Sequence, residues 1–570
     1  MTTPAAEGVL AAAVLGRFAS PHPVPAVVGA VHLLARSLVE DHVALDLGDA
    51  TTIDALSVLS EGAVTFDGVL AALARETRLV QFAEPTEVID PVGPPVVVVD
   101  GRLYLRRLAA AEQRLAATFV AARATPVDLP GGLDATTFER AVSSVSEQLA
   151  DAGTPSVELA SVARLALTRR ASLLTGGPGT GKTWLVTRVL SVLDAALAAA
   201  PPARPVSFVV AAPTGRAAQR LAEVLDGAGG LVHLVRDRER EGSLHRLLGR
   251  HPHGDETVAA LHHDLVIVDE VSMADLPMLD LLMRATPGSR VLLVGDPHQL
   301  VSVNVGAVLA DVVASEARLD AVVSRLTVVR RTDRRAILDL AAAINDGDAP
   351  SVTALLVRGS EEIDLRATVD DYLVELVARH AREVGDLAVV GDGPGALARV
   401  RALGVLCANR AGPGSVAWFN ARIGSEHRAR VGVAAGERHC VGEPVMVTRN
   451  QRALGVSNGD VGVVVEHDGR RQVYFDEHRV FPAGGVGYLE SAWAMTIHKS
   501  QGSEVEHAVV VLPRGDSPLL TRELFYTGVT RATRRVTVVG GSSEVERAVR
   551  TPITRVSGLT ARLASWAETA

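Results

Sequence analysis

The sequence predicts an α/β protein of two lobes, each a mostly parallel sheet covered by helices, with a small β-rich insertion in the second lobe and a mostly helical N-terminal domain. Three observations carry that prediction. Short apolar runs alternate with helical segments in two separate sets, the pattern of parallel sheets covered on both faces. The first of these runs, Ala171–Thr175, leads into the turn Gly176-Gly177-Pro178-Gly179-Thr180-Gly181-Lys182-Thr183 and then the helical stretch Trp184–Ala198. Between Val431 and Val486 the texture changes to paired strands, where Val461–His467 and Arg471–Phe475 flank His467-Asp468-Gly469-Arg470. An Asp-Gly pair between alternating apolar runs suits a tight hairpin.

A chain of 570 residues divides into several domains at roughly 100–200 residues each. Residues 1–125 are rich in Ala, Leu and Val at helical spacing, as in Val31-His32-Leu33-Leu34-Ala35-Arg36-Ser37-Leu38-Val39, and hold no chemical motif. They are assigned to a helical domain that docks a partner, with a self-contained helical bundle as the alternative. Residues 126–322 form the first lobe, with runs Ala171–Thr175, Val206–Ala212, Leu265–Asp269 and Arg290–Gly295. Residues 323–430 and 487–570 form the second, with runs Leu387–Val390, Val405–Ala408, Glu506–Val511 and Arg535–Gly540; residues 431–486 are the insertion.

Hydrophobic residues make up 48% of the chain and charged ones 22%, enough apolar surface for ample cores. Aromatics are only 3%, so those cores are built from Val, Leu and Ala. Two cysteines, Cys407 and Cys440, argue against a disulfide framework or a zinc site and suit a reducing compartment. Glu7 precedes the short apolar run Val9–Leu15 where a signal peptide carries Lys or Arg. No apolar stretch approaches the roughly 18 residues of a membrane span, and a cytoplasmic protein is expected. The net charge of −9 does not advertise a nucleic-acid binder. A narrow strip of donors suffices for a motor that releases its track every cycle.

Of the 57 basic residues only two, Lys182 and Lys499, are lysines. Lys182 closes the glycine-rich turn, where a compact ammonium fits and a guanidinium fork does not. Glycines there let backbone N–H groups curl around phosphates, the following helix adds its dipole, and Lys182 reaches the β and γ oxygens. Gly176, Gly177, Pro178, Gly179, Thr180, Gly181, Lys182 and Thr183 are therefore the nucleotide-binding set, and the Thr183 hydroxyl is a Mg²⁺ ligand. Asp269-Glu270 ends the apolar run Leu265-Val266-Ile267-Val268, at the strand edge that faces the ligand crevice of such a sheet. Asp269 is expected to hold Mg²⁺ through water and Glu270 to orient and deprotonate the attacking water of ATP hydrolysis.

Gln299, in Gly295-Asp296-Pro297-His298-Gln299-Leu300, is placed to touch both the γ-phosphate and that water. Arg531, in Thr527-Gly528-Val529-Thr530-Arg531-Ala532 on a helix of the second set, is an arginine finger delivered across the seam, worth on the order of 10³–10⁵ in rate. Arg331, in Leu326-Thr327-Val328-Val329-Arg330-Arg331, is a second candidate.

The ordered series of these motifs resembles the superfamily 1 DNA helicases. It runs through Gly176–Thr183, Ala212-Pro213-Thr214-Gly215-Arg216-Ala217-Ala218, Asp269-Glu270-Val271-Ser272-Met273, Gly295–Leu300, Thr496-Ile497-His498-Lys499-Ser500-Gln501-Gly502 and Tyr526–Ala532. Gly295–Val303, Leu489–Glu504 and Leu520-Thr521-Arg522-Glu523-Leu524 make it similar to the RecD family, the α subunits of exodeoxyribonuclease V. The likeness covers Leu159 to Gly540; before that it is loose, through His42–Leu47 and Arg102–Arg107.

The resemblance implies two RecA-like P-loop lobes that bind ATP and Mg²⁺ between them, an SH3-like insertion, and single-stranded DNA running across both lobes. It implies DNA contacts at Thr214, Arg216, Ser243, His245, Thr496 and His498, hydroxyls, imidazoles and a guanidinium suited to phosphates. It further implies 5′-to-3′ movement, action on single- and double-stranded DNA ends in recombinational repair, and assembly with RecB-like nuclease–helicase and RecC-like scaffold subunits. Two departures stand out. Relatives carry a Gln for adenine about two dozen residues before the loop lysine; Val157-Glu158-Leu159-Ala160 has none there. Arg330 and Thr332 stand where relatives place an aromatic and a Gln. A free-standing helicase without nuclease partners and an ATP-switched structural subunit are the alternatives. No carboxylate–lysine cluster of a nuclease appears outside the motor motifs.

Overall fold

In the first lobe, strands made almost wholly of Val, Leu, Ile and Ala are buried on both faces, the condition of a parallel sheet between helical layers. The structure, a computed structural model, describes all residues except 1–3, 155, 201–203, 250–258, 303, 329–334, 433–437, 477–478 and 570. The strands lie in the order Val323–Leu326, Ala171–Gly176, Arg290–Gly295, Leu265–Val268, Val206–Ala212, Leu234–Arg236, and each adjacent pair is parallel. Their C-terminal ends therefore share one edge, which carries Gly176, Ala212, Val268 and Gly295.

Alternation sorts the side chains of these strands into two cores. Leu174, Phe208, Val210, Ile267, Leu292 and Val294 pack beneath the helices Ala135–Asp151, Leu159–Thr168 and Lys182–Ala199. Leu173, Val209, Val266, Val268, Val291 and Leu293 face the other way, into a core continuous with the N-terminal domain. Among its described residues that domain has five helices, including Pro25–Val39 and Arg106–Ala124, where the spacing predicted helical structure. It also has a four-stranded sheet, ordered Ala44–Asp46, Arg102–Leu105, Val96–Val99, Val80–Ala83, which the helical periodicity did not announce. Its strands have three or four residues each, too few for an alternating pattern to register. Arg114 joins the domain to the first lobe by a two-pronged bond to Asp280, at 2.7 and 2.8 Å.

The second lobe orders its five strands Ile363–Arg366, Ala532–Val539, Val505–Val511, Leu403–Cys407, Ala494–Thr496, again parallel. One expected strand is corrected. Leu387–Val390 lies at the C-terminal end of the helix Asp371–Val389, and Ile363–Arg366 forms the edge strand instead. A four-residue apolar run does not separate strand from helix; here the amphipathic stretch before it decides. The insertion is a five-stranded antiparallel sheet, ordered Arg479–Pro482, Arg470–Asp476, Val461–His467, Pro444–Val447, Leu489–Ser491, so its sheet takes in a strand beyond the expected bound at residue 486. Asp468 and Gly469 take φ of 51° and 69°, the two positive values that a tight hairpin of this hand needs.

The last residues depart from the expected second lobe. After the helix Ser542–Arg550 the chain returns to the N-terminal domain, where Val43 N–H donates to Val556 C=O at 2.9 Å. Leu559 and Leu563 of the closing helix then enter the N-terminal core. No described helix is long and apolar enough to cross a membrane.

Candidate nucleotide site and nucleic-acid path

The glycine-rich turn joins the strand Ala171–Gly176 to the helix Lys182–Ala199, and its glycines are there for distinct reasons. Gly179 and Gly181 have φ of 74° and 86°, the left-handed region that turns the chain into the helix. A Cβ at Gly176 would lie 3.0 Å from the Leu326 carbonyl oxygen. Lys182 Nζ donates to the Gly176 and Gly177 carbonyls at 2.5 and 3.0 Å, and Thr180 Oγ1 donates to Gly177 C=O at 2.9 Å. With its backbone N–H groups at a helix N-terminus and one ammonium at the mouth, this loop is suited to hold the phosphates of a nucleotide.

Asp269 and Glu270 follow the neighbouring strand Leu265–Val268. The Thr183 hydroxyl donates to Asp269 Oδ2 at 3.3 Å, so the two oxygens expected to serve Mg²⁺ stand together. A hydroxyl and one carboxylate fit a cation that keeps most of its waters. Burial pushes the Asp269 carboxyl up, against the opposing Glu270 N–H and Lys182. Burial raises Glu270 too, reinforced by the Asp269 charge and opposed by Arg531 and Lys182. Glu270 thus lies within the field of a lysine from one lobe and an arginine from the other.

Arg531 lies two residues beyond its helix, Arg522–Val529, and is 4% exposed. Among the described residues its guanidinium donates to uncharged acceptors: Thr527 C=O at 3.1 Å, Ser503 C=O at 3.2 Å and Thr530 Oγ1 at 3.3 Å. It is held in place with no ion pair to its charge among the described residues. Gln299 is buried, and its Oε1 has no hydrogen-bond partner among the described residues. Arg330, Arg331 and Thr332 lie outside the described residues.

Several residues that the motifs contain but that carried no expected role meet at the seam. The Tyr526 hydroxyl donates to Asp296 Oδ2 at 2.9 Å, and a Cβ at Gly177 would lie 3.4 Å from that hydroxyl. Leu300 N–H donates to Thr527 Oγ1 at 2.9 Å, and Gln501 Nε2 donates to Leu300 C=O at 3.1 Å. Arg220 and Glu504 pair across the lobes at 2.9 Å. The only trace of these contacts in the sequence is that each residue lies in or beside a motif.

The six expected DNA contacts fall on two patches that adjoin. Thr214 caps the helix Gly215–Ala228, accepting from Ala217 N–H at 3.3 Å. Ser243 pairs in register with Ala212 and caps the short helix Leu244–Leu247, which carries His245. Thr496 ends its strand, is 5% exposed, and accepts from Lys499 N–H at 3.2 Å; His498 follows in the turn. The patches meet where a Cβ at Gly502 would lie 3.2 Å from Ala217 Cβ. The insertion closes in from a third side, because a Cβ at Gly215 would lie 2.6 Å from Ser457 Oγ. Burial, with Arg401 nearby, pushes the Arg216 guanidinium down to about 10, and its Nη1 has no hydrogen-bond partner among the described residues. It remains a cation at neutral pH with room for an acceptor. Burial and Arg410 lower His498, leaving a neutral imidazole. Lys499 is tied to Glu490 of the insertion.

Comparison with known proteins gives the family. The model of the AAA domain matches residues 144–361, and that of the UvrD-like helicase C-terminal domain matches residues 491–539. The RecBCD enzyme subunit RecD of Mycolicibacterium smegmatis is 39% identical over 518 residues, covering 87% of this chain and 86% of the relative. The subunit of that name from Mycobacterium tuberculosis is 40% identical over 423 residues, with 71% and 72% covered. The ATP-dependent RecD2 DNA helicase of Deinococcus radiodurans is 33% identical over 453 residues, covering 78% of this chain but 56% of the relative. With the glycine-rich loop, the Asp-Glu strand end and the arginine in place around one seam, and with relatives this similar along most of their length, the chain belongs to the RecD family of superfamily 1 helicases.

Proposed function

We propose that this ATP-dependent DNA helicase moves 5′-to-3′ along single-stranded DNA as the motor subunit of a RecBCD-type helicase–nuclease, working in the cytoplasm on double-strand ends in recombinational repair. Its partners on this reading are RecB-like nuclease–helicase and RecC-like scaffold subunits, and its cofactors are ATP and Mg²⁺. The observation that carries the reading is that the second lobe stands against the phosphate loop: a Cβ at Gly177 would lie 3.4 Å from the Tyr526 hydroxyl, which donates to Asp296 Oδ2 at 2.9 Å. A nucleotide held there is enclosed by both lobes, so its hydrolysis changes how they fit.

Each residue has a task in that cycle. The loop from Gly176 to Thr183 binds the triphosphate, with Lys182 leaving its backbone carbonyls for the β and γ oxygens. Thr183 and Asp269 are the residues that would hold Mg²⁺, which supplies charge neutralisation on the phosphates when bound. Glu270 orients the attacking water and accepts its proton, Gln299 aligns that water with the γ-phosphate, and Arg531 stabilises the charge that develops. Thr214, Arg216, Ser243, His245, Thr496 and His498 hold DNA phosphates, which position the strand without reading its sequence. Cleavage loosens the grip between the lobes and advances one patch relative to the other.

The reading is tested with Lys182→Ala in the full chain. DNA-stimulated ATP hydrolysis is expected to fall on the order of 10²–10³-fold, while co-purification with the RecB-like and RecC-like subunits is kept. Unchanged turnover overturns the site assignment. Unwinding of duplexes with a 5′ tail but not a 3′ tail is the expected polarity, and the reverse preference overturns the direction. A purified chain that unwinds alone with full processivity favours the free-standing helicase over the subunit.

A further inference from the structure

The second lobe holds a cavity lined by none of the residues assigned to nucleotide or DNA. Its volume is about 220 Å³, far more than the ~10–15 Å³ that admits one water and less than the roughly 300–1,000 Å³ of sites for drug-sized ligands. Arg379 and His380 line it from the helix Asp371–Val389, and Arg399 from the helix Gly393–Ala402. His507 joins them from the strand Val505–Val511, and Arg534 and Arg535 from the strand Ala532–Val539. Neighbouring residues of a regular strand point to opposite faces, yet Arg534 and Arg535 both reach this cavity. The register gives the reason: Val505 pairs with Ala532 but His507 with Arg535, so one extra residue on the second strand bends the ladder here. Leu403, His507 and Arg535 then lie abreast on three adjacent strands.

The charges around this cavity do not cancel. Arg399 pairs with Glu383, and Arg534 with Glu506 at 3.6 Å. Arg379 and Arg535 have no ion pair among the described residues, and Arg535 Nε is buried there without a hydrogen-bond partner. Asp364, the carboxylate that acts on His507, is itself tied to Arg366 at 2.9 Å. The imidazoles add no charge. Burial, with Arg399 and His507 beside it, pushes His380 down to about 4, and burial with Arg535 does the same to His507. A neutral imidazole still offers an N–H. Two guanidinium groups thus face one cavity without a counter-charge, and an oxyanion that accepts paired N–H bonds fits their forks and removes their repulsion.

This cavity and the seam lie on opposite faces of the sheet. His507 shares its face with Val509 and Val511, which pack with Leu373, Val377 and Ala381 of the helix Asp371–Val389. Ala508 and Val510 point the other way, into the core that holds Ile497 of the DNA turn and Tyr526. No Phe, Tyr or Trp lines the cavity, so a nucleic-acid base finds no stacking platform there. We propose that the cavity binds a compact oxyanion with at least two negative charges, of the phosphate or pyrophosphate class, which clamps the helices Asp371–Val389 and Gly393–Ala402 onto the strands Val505–Val511 and Ala532–Val539. The inference goes beyond the motor reading and does not rest on it.

The test is calorimetric titration of inorganic pyrophosphate, and separately of inorganic phosphate, at fixed ionic strength. It uses the full chain carrying Lys182→Ala, which removes the ammonium of the phosphate loop. Pyrophosphate is expected to bind, and more tightly than phosphate because it offers more oxygens to the forks. Adding Arg535→Gln should weaken that binding about tenfold or more, the effect of losing hydrogen bonds between charged groups. Arg379→Gln, at an exposed position where folding is not at stake, should weaken it as well. Pyrophosphate should also raise the melting temperature of the Lys182→Ala chain and leave that of the Lys182→Ala, Arg535→Gln chain where it was. Absence of pyrophosphate binding to the Lys182→Ala chain overturns the proposal, as does binding that both arginine substitutions leave unchanged. Acetate bound as tightly as pyrophosphate overturns the charge class. Arg535→Gln that lowers affinity for single-stranded DNA, with pyrophosphate failing to compete, makes the face a nucleic-acid contact and overturns the small-anion reading. A chain that binds pyrophosphate here but shows no DNA-stimulated ATP turnover would sink the motor reading and leave this site standing.

Discussion

Glu270 is a non-glycine residue at φ 52°, where backbone strain costs about 1–3 kcal/mol. Burial at the strand end raises its carboxyl above the ordinary 4.5. A base must be ionised to accept a proton. The acid limb of kcat/KM for ATP hydrolysis, which reports the free enzyme, is therefore expected above pH 4.5, with activity lost as pH falls through the raised value; a limb at or below 4.5 contradicts Glu270 as the base. Asp311 shows the same physics away from the site, where burial pushes its carboxyl up to about 7. Folding favours the protonated form of such a group. Its stabilising contribution is complete below the usual 3.8 and is lost as pH rises to about 7. Asp311→Asn, neutral throughout, should gain melting temperature over the parent between pH 4 and 7 and hold that gain above 7. A constant difference across that range would refute the assignment.

At the scale of elements, the close approach of helix to strand sets tolerances near the seam. The helix Arg522–Val529 lies so near the strand Val505–Val511 that a Cβ at Gly528 would meet Val510 Cγ1 at 2.9 Å. Gly528→Ala is expected to destabilise by about 1–3 kcal/mol through overpacking and, by shifting Tyr526 and Thr527, to lower ATP turnover as well; an unchanged denaturation midpoint would show that the strand yields. Sequence reading at this scale succeeded where periodicity was long or a turn was chemically marked. The helix after the phosphate loop and the Asp468-Gly469 hairpin are examples. It failed at Leu387–Val390, where four apolar residues are equally a strand or the end of a helix.

Across the whole molecule, the C-terminal segment ties the N-terminal domain to the chain's far end. Arg562 reaches Glu112 at 3.1 Å with exposures of 3% and 0%, and Gly558 N–H donates to the same carboxylate at 3.1 Å. A Cβ at Gly558 would lie 2.8 Å from Glu112 Oε1. Arg562→Met leaves a buried carboxylate without its cation and should cost about 3–5 kcal/mol, read as a lower denaturation midpoint. The double variant Glu112→Met with Arg562→Met should recover much of it. The shared core has a second consequence: removing the residues before Asp128 uncovers Leu173, Val266 and Leu293 of the first lobe. Partner docking is therefore better probed by surface substitutions at exposed Val58, Leu59 or Val88 than by deletion.

The sequence by itself determined the local chemistry: a glycine-rich loop with its lysine, an Asp-Glu at a strand end, and the order of motifs that marks the family. Each is written within a few neighbouring residues, where backbone freedom and strand or helix context are local properties. Tertiary structure decided what those motifs do to one another. That Glu270 feels Arg531, that Tyr526 and Thr527 grip the loop bearing Gln299, and that the last helix completes the N-terminal core all depend on residues more than 200 positions apart. No spacing rule reaches that far, because such contacts follow from how two sheets and their helices pack, not from the period of either.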